Sequence, residues 1–282
     1  MQNTLDNPLH RQRRARLLTV PRFPARLSVR QTAPIIVIAL LIGLWQLVTS
    51  LRLYPTFIIP PPIDVVNTLI NGLRDGSLLY HASVTISQML FGLGIGAFVG
   101  VTLGYWLGKS KTLENALSPI VLAFQSTPVV AYAPLLVIWF GSGSTSKIII
   151  CALMVFLPML MNTLVGVRTV PVEKREIMHL YAASRWQVFI KLEVPSALPI
   201  LLGGLKVSAT LAVIGSVVGE FIGANAGLGF LINLSRSQYN TPMVFVCVLL
   251  LALIARAMYG FVSLLEARLL RGRQQASEQI RI

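Results

Sequence analysis

Few side chains in this sequence are grouped as bond-breaking chemistry would require. The stretch "GSGS" at 141–144 offers hydroxyls, but a serine nucleophile needs a neighbouring base. The three histidines, His10, His81 and His179, all fall outside the apolar stretches. Cys151 and Cys247 lie inside such stretches and read as packing residues. No "GxxxxGK" phosphate loop occurs. An ion relay would want carboxylates near the middle of an apolar helix, and none is found there. What does stand out is "EIMHLYAASRWQVFIKLEVPSALP" at 176–199, a polar, helix-patterned insert in a chain that otherwise could dissolve in lipid. Its residue types suit recognition rather than catalysis.

The insert has internal logic. Pro171 suits a first helical position, and Ile177, Leu180, Tyr181 and Ser184 then share one helical face. Ala182-Ala183-Ser184 interrupts this helix. Ser184 and Gln187 have capping-box spacing and open a second short helix, on which Trp186, Phe189 and Ile190 share a face and which Pro195 is expected to end. Aromatic residues ringed by Lys and Arg suit either an anchor for a soluble partner or a helix lying among lipid headgroups.

The elements that carry this insert are membrane helices. With 55% hydrophobic and 12% charged residues, the composition lies outside the globular range. Six apolar stretches, near 33–51, 83–107, 117–140, 147–167, 197–219 and 243–264, can each cross a bilayer. The expected fold is therefore all-α and polytopic, with a basic tail at 1–32, a six-helix domain at 33–267 containing the insert at about 171–195, and a second tail at 268–282. The first stretch reads as a retained span rather than a cleaved signal, since it is long and no small-x-small site follows it.

Basic residues orient the chain. Eighteen, including Arg11, Lys109, Arg168, Arg185 and Arg268, fall on the side of the tails and the insert, against Arg52, Arg74, Lys147 and Arg236 on the other. The positive-inside rule makes both tails and the insert cytoplasmic. The net charge of +14 is then a topology signal, and no nucleic-acid fold accompanies it. In the second stretch Gly92, Gly96, Gly100, Gly104 and Gly108 keep one face bare for a close neighbour. Lys206 and Arg256 are expected to reach toward the cytoplasmic surface, and Glu220 to sit near the outer end of the fifth stretch.

The insert resembles the EAA loop of permease subunits of ABC importers: Glu-Ala-Ala, three residues, Gly, nine residues, Ile, one residue, Leu-Pro. That pattern falls on Glu176-Ile177-Met178, Ala182, Leu192 and Val194-Pro195, with Ala182 standing where the family has Gly. Further marks are "IPPPIDV" at 59–65, "GVTLGYWLGKS" at 100–110, "APLLVIWFGSG" at 133–143 and "VVGEFIGANAGLGFLI" at 217–232. Together they are similar to the nitrate/sulfonate/taurine branch. "AFQSTPVVAYAPLLVIWFG" looks more like permeases associated with thiamine-pyrimidine precursors or flavins.

The resemblance implies an inner-membrane permease in two copies that binds no cofactor of its own. A separate ATP-binding subunit pair would use ATP and magnesium, and an extracytoplasmic solute-binding protein would deliver a small polar solute. Coupling to the ATPase would fall to Glu176, Leu180, Tyr181, Ala182, Ser184, Trp186, Phe189 and Pro195. The candidate translocation path holds Gln125, Thr127, Tyr132, Ser208, Thr210 and Glu220. Glu220 with Gly227-Leu228-Gly229 resembles the family's outer re-entrant segment. The alternative, an ion-coupled secondary transporter, finds neither an internal repeat nor a coupling carboxylate.

Overall fold

The computed structural model describes residues 29–279. The basic tail at 1–32 lies almost wholly outside them, as does the end of the C-terminal tail. Every regular element among the described residues is helical: α1 (Val29–Ser50), α2 (Pro62–Arg74), α3 (Ser77–Lys109), α4 (Lys111–Ser126), α5 (Val129–Phe140), α6 (Ser144–Arg168), α7 (Val172–Leu180), α8 (Arg185–Val188), a π-helical turn (Phe189–Glu193), α9 (Val194–Gly223), α10 (Leu228–Ser237) and α11 (Thr241–Gln279).

Among the described residues, four helical runs are long and apolar enough to cross a membrane: Ser77–Lys109, Ser144–Arg168, Arg185–Gly223 and Thr241–Leu270. The stretch expected to be continuous at 117–140 is broken, with α4 and α5 bent by 94°. Pro128 forces the residue before it out of the helical region, and Thr127 is accordingly extended at φ −96°, ψ 120°. Counting this bent pair as one crossing gives five. The first expected crossing corresponds to α1, of which Ile36–Ser50 is apolar helix among the described residues.

The central packing unit is α3 against α6 and α6 against α9. The glycine strip makes the first contact possible. A methyl group at Gly100 would sit 2.7 Å from the Phe156 carbonyl oxygen, and one at Gly104 would sit 2.8 Å from Thr163 Cβ. Cys151 is buried where α3, α6 and α9 meet, with Sγ 3.3 Å from the Ala212 carbonyl oxygen. Large apolar side chains on the outer faces of α3 and α11, such as Phe98, Leu253 and Leu264, remain exposed, as a lipid solvent allows.

At the N-terminal end of α3, the amphipathic α2 tucks Val65 into a cluster with Leu78, Leu228 and Val246. Asp75 precedes α3 and accepts from the Ser77 backbone N–H at 2.9 Å. Hydrogen bonding from Ser77 holds its carboxyl below the usual range.

Candidate functional site

The insert begins at Pro171, which is extended at φ −60°, ψ 135° and precedes rather than opens α7. Ala182 then adopts φ +49°. This is the left-handed conformation that glycine takes freely, so the turn keeps its shape with alanine at the glycine position. Ser184 closes a full capping box: its Oγ accepts from Gln187 N, and Gln187 Oε1 accepts from Ser184 N at 2.8 Å. Val170, Val188 and Leu192 form a small core with Met178 and Ala183. The two-helix insert therefore has a core of its own.

The expected stop at Pro195 is not observed. The π-helical turn at 189–193 runs straight into α9, with Pro195 in its first turn. Proline is tolerated there because a first-turn N–H needs no partner within the helix. From Arg185 on, insert and membrane helix are thus one continuous helical run.

The outward face of the insert is apolar and bare. Leu180 is 84% exposed, Tyr181 83% and Trp186 67%, with Ile177 and Glu176 beside them also exposed. Trp186 stacks on Phe189 at 5.6 Å, and Phe189 meets Tyr105 of α3 edge-on at 5.3 Å.

Beneath this face lies a joint that pattern reading missed. Glu193 is 1% exposed. It pairs with Lys109 at the end of α3, accepts from Tyr105 Oη at 3.0 Å, and stands 3.5 Å from the Arg175 guanidinium of α7. A second tie, Arg168 to Glu114, joins α6 to α4. Lys206 pairs with Glu266 of α11 instead of reaching unpaired toward the surface.

At the other end of α3, Glu220 is buried. It accepts from Thr85 Oγ1 at 2.7 Å and from Gly229 N at 2.6 Å, with Ser216 Oγ 3.5 Å away. Thr85 in turn accepts from Leu228 N at 2.8 Å. His81, expected outside the spans, lies in the second turn of α3, and its Nδ1 accepts from Gly227 N at 3.1 Å. These bonds satisfy the free N–H groups at the start of α10. Lys147, expected as an outer charge, is fully buried and donates to the carbonyls of Ser142 (2.8 Å) and Gly223 (2.5 Å) and to Ser146 Oγ (3.2 Å). It caps the C-terminus of α9, where a cation is favoured.

The six path candidates do not form one cluster. Gln125 lines an open groove of about 310 Å³ with Leu153, Met154, Met161 and Leu211. Tyr132 packs against the cluster built on Ala133, Leu136 and Ile150. Thr127 and Thr210 bond carbonyls of their own helices, Ala123 and Lys206. Ser208 is fully buried, and its Oγ has no hydrogen-bond partner among the described residues. Glu220 serves the α10 end instead.

Residues 92–271 match the family described as binding-protein-dependent transport system inner membrane component, and the chain belongs to that family. It is 42% identical over 236 residues to the riboflavin transport system permease protein RibX of Chloroflexus aurantiacus, covering 84% of this chain and 88% of the relative. It is 31% identical to the formylaminopyrimidine transport permease protein ThiX of Halalkalibacterium halodurans, covering 88% and 98%. The taurine transport system permease protein TauC of Escherichia coli is 32% identical, covering 81% and 85%. An inward-facing structure of the MetNI methionine ABC transporter shares the fold at 21% identity and a TM-score of 0.50, covering 69% of this chain and 94% of that one. The chain is a transmembrane permease subunit of an ATP-driven ABC importer for a small solute, and it is a multi-pass membrane protein.

Proposed function

We propose that the insert at 171–195 is the docking handle for a separate ATP-binding subunit, which uses ATP and magnesium on the cytoplasmic side. The observation that carries this reading is the bare Leu180–Tyr181–Trp186 face on an insert that has its own small core and whose second helix runs on into α9. Exposed aromatic anchors on a preorganised element are the usual source of interface energy. Closure of the ATPase pair would move the insert as a body and tilt α9 and α3 between inward-open and outward-open arrangements. Glu176, at the first position of the loop pattern, would set register at the rim.

In this reading the chain crosses the membrane six times with both termini cytoplasmic, in accord with its distribution of basic residues. The Gln125 groove opens on the outside of the bundle, so a closed path needs a second wall, which we assign to a second copy of the chain. An extracytoplasmic binding protein delivers the solute. Similarity to RibX and ThiX favours a flat nitrogen heterocycle, for which the methionine-lined groove with one amide is a suitable surface.

The test is reconstitution with the ATPase and binding protein in vesicles. Trp186→Ala should weaken ATPase binding by about 2 kcal/mol and lose the subunit on purification. Glu176→Arg should keep it bound but poorly stimulated by substrate. Full transport by both variants would reduce the insert to a lipid-surface helix. Cysteines at Ser184 and Ser237 should be labelled from opposite sides, the first from the cytoplasm; labelling from one side would overturn the six-crossing arrangement. Gln125→Leu should lower riboflavin or pyrimidine uptake with normal assembly.

A further inference from the structure

Glu193 is where the insert, α9 and α3 meet, and its surroundings are unevenly filled. Lys109 and Arg175 both face the same oxygen, Oε1. Lys109 holds it closely, whereas the Arg175 guanidinium stands off at 3.5 Å, beyond good hydrogen-bond distance. Arg175 Nε is buried with no hydrogen-bond partner among the described residues. A buried, unpaired donor on a charged group is costly and calls for an explanation. The two cations come from different bodies: Lys109 ends α3, and Arg175 belongs to α7 of the insert. Tyr105 Oη adds a second bond from α3, on Oε2. The carboxylate projects from a π-helical turn, a local widening common where a helix serves as a functional joint.

We propose that Glu193 is the positioning residue that couples the insert to the transport helices. As the insert carries Glu193 and Arg175 away from α3 together, the carboxylate parts from Lys109 and the neighbouring Arg175 takes the vacated oxygen by a side-chain adjustment, so that α3 is gripped in one state and released in the other. The exchange conserves charge, since one cation replaces another at the same oxygen. Arginine is suited to the second position because its planar fork can take both carboxylate oxygens at once, with the idle Nε as one tine. An adjustment of the Arg175 side chain by less than about 1 Å closes the gap to hydrogen-bonding range. Such an exchange is a discrete two-state element that ligands on either side can bias.

This inference rests on the docking reading, and the experiment separates the two. The complete transporter, with its ATPase and binding protein, is reconstituted with each variant. The readouts are ATPase co-purification and the ratio of hydrolysis with and without solute-loaded binding protein. Arg175→Lys keeps the charge and removes the fork. Lys109→Gln combined with Glu193→Gln removes that pair together, so that Lys109 is not left without its carboxylate if Glu193→Gln alone misfolds. Both should retain the ATPase while the stimulation ratio falls about 10-fold.

A static role for Glu193 predicts no change for Arg175→Lys, because that side chain is only loosely engaged here. An unchanged ratio in either variant overturns the exchange, and so does loss of the ATPase from either. Trp186→Ala serves as the reference. If it keeps the ATPase, the docking reading has failed; if it loses the ATPase while the other two keep full stimulation, the exchange alone has failed.

Discussion

Two buried carboxylates on one continuous helical rod, Glu193 and Glu220, hold opposite ends of α3, and they are held in different ways. Glu193 is surrounded by cations that are themselves partly exposed, with Lys109 34% and Arg175 37% accessible. Glu220 sits among neutral donors in a buried cage: the Thr85 hydroxyl, the Gly229 N–H and Ser216. An ion pair tolerates changes of angle and partner, while a cage of short neutral bonds fixes one geometry. One end of α3 is thus built to exchange contacts and the other to keep them. That division suits a lever whose fulcrum lies near α10 and whose handle is the insert.

The sharpest way to break this comparison is at the fixed end. Gly227 has φ +118°, and a methyl group there would strike the Glu220 carboxyl, so Gly227→Ala should destabilise by about 3 kcal/mol through strain and broken bonds. Thermal unfolding in nanodiscs, with proteolysis after α10 as a local probe, measures it. Glu220→Gln replaces an acceptor oxygen by an NH₂ group facing Thr85 or Gly229 and should cost about 2 kcal/mol by the same assay.

Changes at the insert end should be milder. Ala182→Gly relieves a left-handed alanine and should stabilise the insert by about 1 kcal/mol, seen as slower proteolysis between α7 and α8. Lys109→Gln should cost only about 0.5 kcal/mol, because Arg175 stands ready to take the vacated oxygen of the buried Glu193 and Lys109 itself is partly exposed. A cost for Lys109→Gln as large as that for Glu220→Gln would erase the distinction between the two ends.

What could be read along the chain was local in character. Ser184 and Gln187 are three residues apart, so the capping box was visible as spacing. The α3 glycines recur with the helical period, so their bare face was visible too, though not that α6 would fill it. The family pattern demanded a glycine-like turn at Ala182, and the positive φ is there. The break at Thr127 was signalled by Pro128 but masked by the unbroken hydropathy on both sides.

The rest depended on contacts between distant residues. Glu193 and Lys109 are 84 residues apart, and nothing in "KLEVP" distinguishes a solvent-facing glutamate from the pivot of a joint. Lys147 counts in the sequence only as a charge on the outer side, because the groups that accept its hydrogen bonds are backbone carbonyls, which any sequence supplies. Pro195 looked like a terminator because proline often ends helices, and only the preceding π-helical turn shows that here it sits in the first turn of α9 without ending the run.

The central claim, that the insert and not the α10 end receives the ATPase, can be tested with two tyrosines. Tyr181 on the insert and Tyr239 after α10 are comparably exposed, at 83% and 74%, and both lie just past the end of a short helix. A photo-crosslinking amino acid placed at each position in turn, in the assembled transporter, reports what lies against it. The account predicts that position 181 captures the ATP-binding subunit and that position 239 does not. Capture of that subunit from position 239, or its absence from position 181 in a complex that still hydrolyses ATP, would contradict it.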